Sequence, residues 1–180
     1  MSSTPRQIQP RLVEPITFLF KDDGETPNNP RLPLILYRDA VDVSGRDPAA
    51  AFEAIFERNG WGWGWRNGIF DFRHFHLRAH EVLGIARGSA QVEFGGAGGQ
   101  VVEVNAGDVA ILPAGCGHRR VSSNRDLLVV GAYPPDNDSA HSTPARVDRA
   151  AAAQTIATTP MPPADPVYGK TGSLMKLWPA

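Results

Sequence analysis

Between residues 71 and 133 the chain offers seven runs of strand length, at 71–77, 81–87, 89–94, 100–104, 108–112, 118–122 and 127–133. Many short strands separated by Gly-rich turns predict an antiparallel sandwich or barrel, not a parallel α/β sheet. The densest turn, Gly95-Gly96-Ala97-Gly98-Gly99, invites comparison with a phosphate-binding loop. Such a loop needs a helix N-terminus after it. Here an alternating strand follows, with Val102 and Val104 on one face, so the segment is predicted as a hairpin turn.

The flanks are consistent with one domain covering 1–180, with a barrel core at 60–133, strands and a helix at 1–59, and a C-terminal extension at 134–180. Residues 1–12 are predicted as a loose polar arm, 13–20 and 32–37 as strands, and 21–31 as a loop of turn formers. Asp47 can cap a helix whose first turn holds Pro48, whose apolar face is Phe52, Ile55 and Phe56, and which Asn59-Gly60 ends. Trp61, Trp63 and Trp65 alternate with glycine, so in an extended chain all three rings share a face. That stripe fits a packed lid or subunit interface, and alternatively a wall for stacking substrate. Residues 145–157 favour a short helix, and the tail through Leu174, Lys176 and Trp178 is predicted as extended.

Within 68–88, His74 and His76 share one strand face, and Glu81 opens the next strand on the same side. A Pro113/Gly115 turn then aims His118 back toward that hairpin. Three nitrogens and one oxygen suit a divalent first-row metal such as Mn, Fe, Ni or Zn better than Mg or Ca, which prefer oxygen shells. His80 is an alternative ligand if a bulge turns it inward. Cys116, inside the turn, reads as turn filler. Arg120 shares the alternation of His118 and is a candidate anchor for a substrate carboxylate or phosphate. Leu83 and Ile85 would line an apolar pocket on the Glu81 face.

Two spacings carry a family resemblance. Gly68, His74, His76, Glu81 and Gly88 follow G-x5-HxH-x4-E-x6-G, and Gly107, Pro113, Gly115 and His118 follow G-x5-PxG-x2-H-x3-N, with Ser122 in place of the Asn. The chain thus resembles the cupin superfamily over about 60–133. Its HEVLG and DPVYG segments are similar to the YjlB-like group of small bacterial cupins. The resemblance implies an all-β fold, a double-stranded β-helix (jelly-roll-like) barrel, here with one N-terminal helix and a short C-terminal helix. It also implies a metal site and a homodimer, for which Phe75, Leu77 and the Trp stripe would supply apolar contact.

The expected activity is metal-dependent chemistry on a small organic molecule, of dioxygenase, oxidase or isomerase type. A non-catalytic metal- or metabolite-binding module and a metal-free sugar-type isomerase are the alternatives. Eighteen basic against nineteen acidic residues give a net charge of -1, which favours neither nucleic acid nor an anionic membrane. The opening MSSTPRQIQP has no apolar stretch of signal-peptide type, and a single Cys permits no internal disulfide, so a cytoplasmic location is expected.

Overall fold

The computed structural model describes residues 8–179. The expected arm at 1–12 lies outside the described residues for 1–7. At 8–12 the chain is irregular, but the Arg11 side chain reaches Asp39 and its N–H donates to the Ala40 carbonyl at 2.8 Å.

The strands are β1 (Ile16–Phe18), β2 (Leu34–Tyr37), β3 (Gly62–Asn67), β4 (Phe75–Arg78), β5 (Glu81–Arg87), β6 (Ser89–Phe94), β7 (Gln100–Asn105), β8 (Val109–Leu112), β9 (His118–Ser123), β10 (Leu128–Tyr133) and β11 (Asp138–Ser142). The helices are α1 (Pro48–Arg58), α2 (Arg149–Ala157) and α3 (Leu174–Leu177), with a 3-10 turn at Pro144–Arg146. All strand pairs are antiparallel. A six-stranded sheet runs β1-β2-β8-β5-β10-β3, facing a three-stranded sheet β7-β6-β9, with β11-β4 as a separate pair. The double-stranded β-helix expectation therefore holds as facing sheets, and the sheets do not close into one hydrogen-bonded barrel.

The large sheet is covered on both faces, which is why β2, β5 and β8 are almost uninterrupted apolar runs. Alternate residues separate two cores. Leu83 and Ile85 of β5 pack with Val92 and Phe94 of the small sheet, while Val82 and Ala86 pack with Phe52, Ile55 and Phe56 of α1. Asp47 caps α1 by accepting from the Ala50 N–H at 3.3 Å, and Pro48 occupies the first turn. Gly84 lets the helix approach: a Cβ there would lie 2.3 Å from the Phe52 ring. Any side chain would push α1 off the sheet.

Several expectations change. Strand β4 begins at Phe75, not 71; in the irregular segment before it, Phe70 and Phe72 stack on each other at 4.8 Å. Phe75 is fully buried, so it supplies no subunit contact. The Trp stripe is split. Trp61 is buried, donating from Nε1 to the Ala164 carbonyl at 2.8 Å, whereas Trp63 is 87% exposed. Trp63 adopts φ 53°, a left-handed conformation that breaks strand alternation, so its ring no longer shares a face with its neighbours.

Helix α2 starts at Arg149, where Asp148 accepts from two backbone N–H groups, later than the 145 predicted. The tail is helical at α3 instead of extended. Buried Asp165 accepts from the Leu174 N–H at 3.2 Å and so fixes the helix start against the core. The polar strand β11 carries no hydrophobic period and was not expected. No helix among the described residues is long and apolar enough to cross a membrane.

Candidate metal centre

His74 lies just before β4 and pairs with His118 at the start of β9. Each donates its N–H to the other's carbonyl, at 3.2 and 2.9 Å. This two-way bridge sets the imidazoles side by side, with ring centroids 4.1 Å apart. His76 follows two residues later on the same face of β4. The turn before His118 is tied to that strand, since the Gly115 N–H donates to the His76 carbonyl at 2.7 Å. Glu81 then opens β5. His74, His76 and His118 each offer a nitrogen, and these lie within 4.8 Å of one another, so the three buried imidazoles could hold a metal ion.

The ring orientations are set by the backbone. Nδ1 of His74 lies 3.1 Å from the Phe72 carbonyl and Nδ1 of His118 lies 3.2 Å from the Cys116 carbonyl. A carbonyl only accepts, so each Nδ1 carries the proton and each Nε2 presents a lone pair. Glu81 Oε1 accepts from the Tyr133 hydroxyl at 2.9 Å. Its Oε2 is buried without a hydrogen-bond donor, 3.2 Å from His118 Nε2 and 3.4 Å from His76 Nε2. Electron-pair donors therefore crowd one another in a buried space, an arrangement that only a cation or added protons relieves.

Burial alone raises the Glu81 carboxyl, but His76 and His118 outweigh it and hold the group well below the usual carboxylate range. Burial lowers His76, and the Glu81 charge more than offsets this. His74 is pushed down to about 3 by burial and by His118 beside it, so it is a neutral imidazole. Three imidazole nitrogens beside a carboxylate oxygen fit a divalent first-row metal.

His80, the alternative ligand, stands outside the cluster. Its Nδ1 accepts from the Ala114 N–H at 3.0 Å, its ring lies 4.8 Å from Trp178, and burial pushes its pKa down to about 4. Adjacent strand residues face opposite ways, which separates it from Glu81. The Arg120 guanidinium bonds the Ser123 hydroxyl at 3.3 Å and does not line the cavity beside the cluster. Leu83 lines that cavity, whereas Ile85 is buried deeper in the core. Cys116 is fully buried, and burial pushes its thiol up to about 12.

The cavity has a volume of about 250 Å3. It is also lined by residues not predicted for it, Tyr133, Ser139 and His141, and by Trp65, for which a stacking wall was one of two readings. Gly131 admits the Trp65 ring, since a Cβ there would lie 2.1 Å from it. Ser139 and His141 sit on β11, whose polar sequence offers no signal, and His141 reaches the site by pairing opposite His76.

The family model described as Cupin matches residues 67–160. The uncharacterized protein YjlB of Bacillus subtilis (strain 168) is 36% identical over 162 residues, covering 90% of this chain and 95% of that protein. Among solved structures, a mutant of Bacillus subtilis oxalate decarboxylase matches 66% of this chain at 17% identity and TM-score 0.38, and this chain spans 29% of its length. An uncharacterized protein with a double-stranded β-helix domain from Klebsiella pneumoniae matches 79% of this chain and 95% of its own at 16% identity and TM-score 0.37. Likeness at that level leaves activity and substrate open. The sequence matches decide the family: this chain belongs to the cupins.

Proposed function

We propose that His74, His76, His118 and Glu81 together hold a divalent transition metal, Mn, Fe, Ni or Zn, and that the protein acts on a small organic molecule bound beside it. The observation that carries this is the buried convergence of imidazole lone pairs on Glu81 Oε2, which has no protein donor. Four protein ligands on a six-coordinate ion leave two positions open, which suits oxidase- or dioxygenase-type chemistry. When bound, the metal would supply Lewis acidity and, if redox-active, electrons. The chain's own part is to orient the donors, through the Phe72 and Cys116 carbonyls and the Tyr133 hydroxyl, and to exclude water with apolar walls.

Isomerase chemistry is supported less well. It requires a positioned base, and among the described residues lining the cavity the one carboxylate, Glu81, is assigned to the metal, while the one imidazole outside the cluster, His141, is solvent-exposed. The test is elemental analysis of untagged protein beside a His76→Ala/His118→Ala double variant, followed by O2 uptake over a metabolite panel. Near-stoichiometric metal, absent from the variant, with substrate-dependent O2 consumption is the expected result. Protein that neither contains nor takes up metal would sink the metalloprotein reading. Metal without turnover would leave a binding module in place of an enzyme.

A further inference from the structure

The walls of the cavity say what kind of molecule fits it. At about 250 Å3 it lies below the roughly 300–1,000 Å3 of pockets for drug-sized ligands, so it suits a smaller one. Its apolar sides are Trp65, Ile69, Phe70, Leu83 and Tyr133, with Asn67 and Ser139 as neutral polar lining. The polar handles of the two amphipathic rings are already committed inside the wall. Trp65 Nε1–H donates to the Tyr133 hydroxyl at 3.0 Å, and that hydroxyl donates to Glu81. What they present to a ligand is therefore ring surface. Phe70 meets His74 edge-on at 5.0 Å, backs onto Phe72, and is 46% exposed, an aromatic ring that the protein leaves uncovered at the mouth.

Charge narrows the choice further. Among the described residues no lysine or arginine lines the cavity, and Arg120 is engaged elsewhere. The lining imidazole outside the cluster, His141, is solvent-exposed, where water screens any charge it carries. A divalent ion beside the Glu81 carboxylate leaves one positive charge, which a single anionic oxygen matches. A second negative charge on the ligand would be desolvated against Trp65, Ile69 and Leu83 with only the neutral Asn67 and Ser139 side chains and the exposed His141 to meet it.

We infer that the cavity selects a small, flat, mostly apolar molecule, an aromatic or enolic compound with two adjacent oxygens and at most one negative charge when bound, and rejects dicarboxylates and sugar phosphates. The inference rests on the metal centre proposed above, and its test separates the two. Full-length protein is loaded with cobalt(II), its cobalt content is measured, and the visible absorption of the bound ion is followed during titration with catechol, malonate or glucose 6-phosphate. Catechol is expected to perturb the spectrum and bind about tenfold or more tightly than either anion. Phe70→Ala is expected to keep its cobalt and bind catechol about three- to tenfold more weakly, the worth of one aromatic pair. Equal or tighter binding of malonate or the sugar phosphate by cobalt-loaded protein overturns the selectivity while the metal centre stands. Unchanged catechol affinity in Phe70→Ala overturns the aromatic wall. Failure to take up cobalt overturns the metal centre and the inference with it.

Discussion

Asp165 and Glu81 are the two most deeply buried carboxylates among the described residues, and they are treated in opposite ways. Asp165, at the C-terminal clasp, is satisfied by protein on both oxygens. Oδ1 accepts from the Val167 and Tyr168 N–H groups at 2.8 and 3.0 Å, and Oδ2 from the Tyr37 hydroxyl at 2.6 Å and the Leu174 N–H at 3.2 Å. Glu81, at the cavity, receives one hydroxyl on Oε1, and its Oε2 faces imidazole nitrogens with no donor. A carboxylate that the fold completes is structural, and its pairing with local N–H groups explains the DPVYG segment as a turn locked onto the sheet. A buried acceptor that the fold leaves without a donor is the kind a bound cation would complete, which is the reading proposed for Glu81.

That contrast can be broken by substitution. The largest effect is expected at the clasp, where Asp165→Ala strands three N–H groups and a hydroxyl in the core. Stability measured by urea unfolding should fall by about 3–5 kcal/mol. A loss under about 1 kcal/mol would deny Asp165 its structural role. Glu81→Gln should do the reverse. Metal affinity should drop by more than the roughly 10–100-fold typical of losing a group that merely orients a ligand, while the metal-free protein keeps or gains stability. Chelation should then lower the melting temperature of the unsubstituted protein and leave the variant unmoved. Full metal retention in Glu81→Gln would remove Glu81 from the ligand set and reopen the case for His80.

Tyr133→Phe sharpens the comparison, because it removes the one donor Glu81 has. A metal affinity about tenfold weaker, with roughly 1 kcal/mol lost in stability, is expected from competition titration and unfolding. Loss of stability alone would make Tyr133 part of the wall and nothing more. The smallest effect belongs to Trp63, exposed and remote from both carboxylates. Trp63→Ala should change stability by no more than about 0.5 kcal/mol and leave metal content intact.

Strand cadence, the α1 cap and the positions of His74, His76, Glu81 and His118 were legible in the sequence, because each follows from local rules. Period-two alternation, Pro/Gly turn chemistry and Asp capping act over a few residues and need no knowledge of the rest of the chain. The family spacing added the return of His118 to the first hairpin. What local rules could not reach was decided by contacts distant in sequence. Trp61, Trp63 and Trp65 share a period, yet a left-handed residue and a glycine at 131 send them to core, solvent and cavity. The tail alternates like a strand, yet Asp165 nucleates a helix there. His141 sits in a polar strand with no pattern of its own, and only pairing with β4 brings it to the cavity. The sequence by itself determined the fold class and which imidazoles and carboxylate converge at the cavity. The tertiary structure decided which buried acceptors are left without partners, since satisfaction of a polar group depends on every neighbour that packing brings to it.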